Sequence, residues 1–153
     1  MSIAASEGIL KGRPFDGVAF LWYKSLNRCF KFVQSDPNGR CLLFTLKCDH
    51  KSILIFNLYF PCYEASAEYR AEIAFYVGFI ENVLSTVTFS DVIIMGDMNF
   101  EVSNSNSGYD LFKSLLSSYS IVDCDEFIVG RNRHTYVNEA LGHVVYRPLL
   151  RHT

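Results

Sequence analysis

The stretch Val92-Ile93-Ile94-Met95-Gly96-Asp97-Met98-Asn99-Phe100 decides how the rest of the chain is read. A short apolar run bounded by a turn residue reads as a buried strand. Gly96 lets the backbone bend away from the sheet or pack closely against a neighbour. Asp97 and Asn99 stand two apart, so they share a face wherever strand geometry continues. A carboxylate and an amide at the carboxyl end of a central strand suit phosphoryl transfer. The carboxylate orients or deprotonates a water, and the amide donates to phosphorus-bound oxygens as charge grows on them. Gly, Asp and Asn are equally the vocabulary of a strand-ending turn, so the remaining sequence has to choose between the two readings.

Upstream, residues 18–23 (Val-Ala-Phe-Leu-Trp-Tyr) read as a first buried strand and 28–34 as a second. Ser35-Asp36-Pro37-Asn38-Gly39 reads as a hairpin loop, because Pro presets one turn angle and Asn-Gly accommodates positive ones. Residues 40–48 return as a third strand. Residues 53–60, apolar almost throughout, read as a central fourth, which completes an antiparallel meander. Beyond it Tyr69, Ile73, Tyr76, Ile80, Val83, Leu84 and Val87 recur at helical spacing and predict a helix over 66–87, with Glu68 where the macrodipole favours it. The order strand, helix, strand implies a crossover laid on one face of a sheet. Downstream, a Ser/Asn loop leads to a second helix opened by Ser107 and Asp110, with Leu111, Phe112, Leu115, Leu116 and Tyr119 as its apolar face. Residues 121–124 read as a brief extended piece, Gly130-Arg131-Asn132-Arg133 as a basic turn, and 134–137 as a further strand.

With 153 residues the chain is expected to form one domain with a real core. A formal net charge of −2 offers no basic surplus that would announce nucleic-acid binding, so any such contact needs a local patch. Cys29, Cys41, Cys48, Cys62 and Cys124 lack CxxC spacing and read as reduced thiols packed as small hydrophobes, which excludes a zinc site of the usual pattern. No secretory signal is read at the start, and the longest apolar run, 53–60, is too short to span a membrane. The expected location is intracellular, nuclear or cytoplasmic.

Several stretches together resemble one family. Gly12-Arg13-Pro14-Phe15-Asp16-Gly17-Val18-Ala19, Asn57-Leu58-Tyr59-Phe60-Pro61, Ile94-Met95-Gly96-Asp97-Met98-Asn99, and Thr135-Tyr136 with Asn138-Glu139-Ala140-Leu141-Gly142-His143 occur in the order found in the endonuclease/exonuclease/phosphatase superfamily. Within it the chain is most similar to the endonuclease domain of non-LTR (LINE-like) retrotransposons. The resemblance implies an α/β fold, a partial two-sheet α/β sandwich of the deoxyribonuclease I-like type. It also implies magnesium-dependent cleavage of DNA phosphodiester bonds. By resemblance Asp97 activates the attacking water and contacts the magnesium through water, Asn99 binds the phosphate, and Tyr59 points at it from the neighbouring strand. Arg131 is a further candidate for the substrate. A polyprotein supplying the rest of the domain is an expected partner alongside DNA.

The departures from the family are equally specific. The strands carrying the family's Asn and metal-binding Glu are expected upstream of this sequence, and Glu7 does not replace them. The closing Ser-Asp-His element is expected downstream, and neither His143 nor His152 takes its place. Pro148 stands where an acidic residue is expected. Residues 1–143 therefore read as a partial domain and 144–153 as a divergent C-terminal tail. Little or no activity is expected from this chain alone. The alternatives are a non-catalytic, partner-binding remnant and a phosphatase of the same fold acting on a small phosphate ester.

Overall fold

A computed structural model describes residues 17–100, 107–123, 136–138, 142–146 and 149–151. Its centre is a sheet built from four strands in sequence. These are β1 (Phe30–Ser35), β2 (Cys41–Cys48), β3 (Lys51–Tyr59) and β4 (Asp91–Phe100). The first three form an antiparallel meander, and β4 lies parallel to β3. A parallel neighbour requires a crossover, which α1 (Ala67–Thr86) supplies. α2 (Ser107–Ser118) packs beside α1 over the sheet.

The far edge of β4 is paired as well. After β5 (Val122–Asp123) and β6 (Tyr136–Asn138) come β7 (Gly142–Tyr146) and β8 (Leu149–Arg151). β8 runs antiparallel to Val92, Ile93 and Ile94, and β7 meets β4 at Asp97 and Phe100. No strand is read from the sequence over residues 144–151, although Val144, Val145 and Tyr146 are residue types that strands favour. Arg131 and Arg133 lie outside the described residues, as do Glu7, His152 and the first half of the predicted 134–137 strand, whose second half, Tyr136 and Val137, is in β6.

Helix α1 forms as its spacing predicts. The Ser66 hydroxyl accepts the Tyr69 backbone N–H at 3.1 Å, which caps the first turn. Tyr69, Ile73, Tyr76, Ile80, Val83 and Leu84 are buried. They pack on Leu54, Phe56 and Leu58 of β3 and Val92 and Ile94 of β4, joined by Phe112 and Leu115 from α2. Each such side chain contributes roughly 1.5–3 kcal/mol of apolar burial. Leu111, read as part of the apolar face of α2, is 42% exposed instead. It stands at the edge of that stripe, where a small error in helical phase turns it to solvent.

The first predicted strand is the main correction. Residues 17–23 join no strand ladder and end in a single 3-10 turn, Lys24–Leu26. Their alternation is nevertheless real. Val18, Phe20 and Trp22 cover Leu42, Phe44 and Ile55 on the sheet face opposite the helices, while Leu21 and Tyr23 are 90% and 83% exposed. Period-two patterning reports an extended chain buried on one side, and it does not require pairing. The segment is held by Asn57, whose Nδ2 donates to the Ala19 carbonyl at 3.0 Å.

The hairpin also differs in detail. Only Gly39, at φ 68°, takes a positive angle there, and Asn38 does not. The buried Asp36 carboxylate ties the loop by accepting the backbone N–H groups of Asn38 and Cys41.

Candidate active site

The site is assembled where β3 and β4 end together. Their parallel register sets Tyr59 opposite Asp97. Two bonds fasten the pair of strand ends. The Phe60 N–H donates to the Asp97 carbonyl at 2.8 Å, and the Asn99 Nδ2 donates to the Phe60 carbonyl at 2.7 Å.

Gly96 is what allows this approach. At φ 125° it adopts an angle that L side chains rarely take, and a Cβ there would lie 2.0 Å from the Leu58 carbonyl oxygen. The strand does not stop at the glycine, however, and continues to Phe100. Regular alternation breaks at Asn99, which takes the left-handed angle of φ 48°, and the pairing of β4 with β7 shifts register between Asp97 and Phe100. The Asp97 Oδ1 accepts the Asn99 backbone N–H at 3.1 Å, a local turn closed by the carboxylate itself. A bulge, rather than continued pleating, therefore sets the directions of Asp97 and Asn99. Asn is among the few residues that tolerate such an angle, and backbone outliers of this kind gather at functional sites.

Both readings of the opening stretch are therefore partly realised. The turn exists, and it presents Asp97 and Asn99 at the end of a central strand next to Tyr59. One amide hydrogen of Asn99 is donated to the Phe60 carbonyl, which fixes the side chain.

A residue absent from the sequence-based candidates completes the neighbourhood. The Arg40 guanidinium lies 5.7 Å from the centroid of the Tyr59 ring and bonds the Glu72 carboxylate at 3.0 Å. Arg40 and Glu72 are 32 positions apart, so no local pattern announces them. Together with Tyr59, Pro61, Cys62, Glu64, Glu68 and Tyr69 they line a cleft of about 410 Å³. Burial pushes the Tyr69 phenol up to about 12, with smaller contributions from Tyr63 and Cys62. The Tyr76 phenol beneath Glu72 is also raised, chiefly by burial. Neither ionises near neutral pH.

Magnesium does not fit the described residues as a complete site. Among them no group of three His, Cys, Asp or Glu side chains is placed to hold a metal ion, and a hard cation needs several oxygen ligands. Asp97 supplies one carboxylate at this end of the sheet. Also among the described residues, Cys29, Cys41, Cys48 and Cys62 are free thiols, and no helix is long and apolar enough to cross a membrane.

A sheet with a parallel crossover, two covering helices and polar residues at the carboxyl ends of its central strands is part of a deoxyribonuclease I-like α/β fold. The structural neighbours are members of the endonuclease/exonuclease/phosphatase superfamily. They include the AP endonuclease LMAP from Leishmania major (TM-score 0.59, 11% identity, 75% of this chain and 46% of that one). The endonuclease domain of TRAS1, a telomere-specific non-LTR retrotransposon, matches with TM-score 0.56 and 11% identity over 80% of this chain and 54% of that one. The human Nocturnin catalytic domain with bound sulfate matches with TM-score 0.55 and 15% identity over 81% and 49%. Identities this low establish the fold. The chain spans about half the length of these structures. No family model and no curated protein matches the sequence.

Proposed function

We propose that this chain carries part of a phosphodiesterase site of the endonuclease type, with DNA as the substrate. The observation that carries the reading is the union of Tyr59, Asp97 and Asn99 at two adjoining strand ends, locked by the Asn99 bond to the Phe60 carbonyl. In this reading the Asp97 carboxylate orients a water and draws its proton during attack on phosphorus. The Asn99 amide and the Tyr59 hydroxyl donate to the phosphate oxygens, and they do so most strongly as negative charge builds up.

The resemblance adds magnesium, whose chemistry when bound is neutralisation of that charge. With Asp97 as its candidate contact here, further ligands would have to come from outside the described residues. Groups that act as a unit are not additive, so the chain alone is expected to cleave little or nothing. The retrotransposon type, the role of Arg131 in binding substrate, and the division into a partial domain at 1–143 and a divergent tail at 144–153 belong to the same proposal.

Exposed Leu21 and Tyr23, on the segment covering the second sheet face, favour one alternative, a non-catalytic module that binds a protein partner through that face. Two measurements separate the readings. In a supercoiled-plasmid assay with magnesium, a longer polypeptide extended on both sides of this sequence is expected to nick, its Asp97→Ala form is not, and this chain alone is not. Nicking that survives Asp97→Ala would refute the proposal. A chain that never nicks in any form and sediments as a stable complex with a protein partner would favour the alternative.

A further inference from the structure

The cleft that Tyr59 lines contains a cation, Arg40, that the catalytic reading leaves without a role. We propose that Arg40, anchored by Glu72, is the positioning residue for Tyr59. This inference rests on the reading of the site given above.

Two contacts join Arg40 to Tyr59. The Tyr59 backbone N–H donates to the Arg40 carbonyl at 2.8 Å, and the guanidinium stands 5.7 Å from the ring centroid. The first fixes where the tyrosine leaves β3, and the second limits where its ring can turn. A planar, permanently charged guanidinium is well suited to this, since it attracts the ring face and offers a rigid surface.

The guanidinium is itself held from behind. Glu72 accepts from Arg40 Nη1 at 3.0 Å and from the Tyr76 hydroxyl at 3.4 Å, and Asn38 Nδ2 donates to that hydroxyl at 3.2 Å. Tyr76 is fully buried in the core. A continuous path of polar contacts therefore runs from the β1–β2 hairpin through α1 to Arg40 and ends on the Tyr59 ring.

The charge balance argues against Arg40 as a phosphate ligand. Glu72 already pairs with it, and Glu64 and Glu68 line the same cleft. A phosphate approaching the guanidinium would meet three carboxylates around one cation. The Arg40 side chain is only 18% exposed, so its apolar stem and head are mostly packed. These features suit a fixed support better than a substrate clamp.

The test uses the nicking-competent longer polypeptide with Arg40→Ala, Arg40→Lys, Tyr59→Phe and the Arg40→Ala/Tyr59→Phe double variant. Misplacing a reacting group by an ångström costs up to ~100-fold, so Arg40→Ala is expected to lower kcat about 10-fold to 100-fold with KM little changed. Arg40→Lys recovers part of it. The double variant should be no worse than Tyr59→Phe alone, because a positioning residue acts through the group it positions. A raised KM for Arg40→Ala, or losses that multiply in the double variant, would overturn the proposal while leaving Asp97 intact. Nicking that survives Asp97→Ala would instead overturn the reading of the site.

A second measurement does not depend on activity and guards against a variant that fails to fold. The nine tyrosines are replaced by 3-fluorotyrosine, and the fluorine signal of Tyr59 is assigned by its loss in Tyr59→Phe. In Arg40→Ala and in Glu72→Gln that signal is expected to move towards the exposed-tyrosine position, with signals remote from the cleft unchanged. A Tyr59 signal that stays in place in both variants refutes the inference.

Discussion

Gly96→Ala is the substitution whose cost the structure defines best. The new Cβ would meet the Leu58 carbonyl oxygen at 2.0 Å, the Leu58 nitrogen at 2.7 Å and its carbonyl carbon at 2.9 Å. All three atoms are backbone of a central strand, so no flexible side chain can yield. Relief requires β3 and β4 to part by more than an ångström, which weakens the ladder from Ile53 and Asp91 to Tyr59 and Asp97. Forcing extra atoms into a packed interior typically costs about 1–3 kcal/mol. The φ of 125° adds strain of roughly 1–3 kcal/mol for a residue with a Cβ. A total of about 2–6 kcal/mol is a large part of the roughly 5–15 kcal/mol that holds a domain together. Gly78→Ala is the matched control, because it lies inside α1 with nothing within 4 Å of the added Cβ. It should stabilise by about 0.5–1 kcal/mol through helix propensity. The assay is urea unfolding followed by far-ultraviolet circular dichroism. A Gly96→Ala variant within about 1 kcal/mol of the parent, on the scale of ordinary surface changes, would refute the claim that the strands close on this glycine.

Three further outcomes follow from the same geometry. Ser66→Ala should lose about 1 kcal/mol in urea unfolding, since it removes the acceptor for the Tyr69 N–H at the start of α1. Asp36→Ala strips the buried Cys41 backbone N–H of its acceptor and releases the exposed Asn38 N–H to water, so it should cost about 1–3 kcal/mol by the same assay, the penalty for one buried group left unsatisfied. Stability should also fall at alkaline pH. Tyr69 is raised to about 12 by burial, against about 10 in an unfolded chain. The unfolded state therefore loses the proton first, so the contribution is fully present below about pH 10 and is lost as pH rises towards 12. Tyr69→Phe should flatten that decline in a pH series of thermal melts. It should not destabilise at neutral pH, because the Tyr69 hydroxyl is buried with no hydrogen-bond partner among the described residues.

How much of this was legible depends on how local each cause is. The buried face of α1 repeats every three or four residues, and the residues named from that spacing are the ones that pack. The parallel step from β3 to β4 follows from a helix lying between two apolar runs. Residues 18–23 carry the pattern of a strand because Val18, Phe20 and Trp22 alternate as a strand does, yet they lie on the sheet without pairing to it. β7 and β8 are not read as strands although Val144, Val145 and Tyr146 suit one, and their place on the edge of β4 is a long-range pairing that no local pattern announces. At the site, Asp97 and Asn99 stand out by residue type and strand position, and Tyr59 only through the family resemblance. The left-handed turn at Asn99 did not, since Asn permits that angle without requiring it. Arg40 and Glu72 meet only through the tertiary fold. The signal that could have found Arg40 is its place directly after the Asn38-Gly39 turn, opposite the end of β3.

The most direct measurement is the rate of DNA nicking by the longer polypeptide carrying Asp97→Asn. This change keeps an oxygen that can accept the Asn99 N–H, removes the carboxylate charge and turns the second oxygen into an amide donor. If Asp97 serves as the base for the attacking water, the rate falls by about 10²–10⁴-fold while the urea midpoint stays near the parent's. A variant that folds normally and nicks at the parental rate would contradict the account and leave the Gly96-Asp97-Met98-Asn99 turn with a purely structural role.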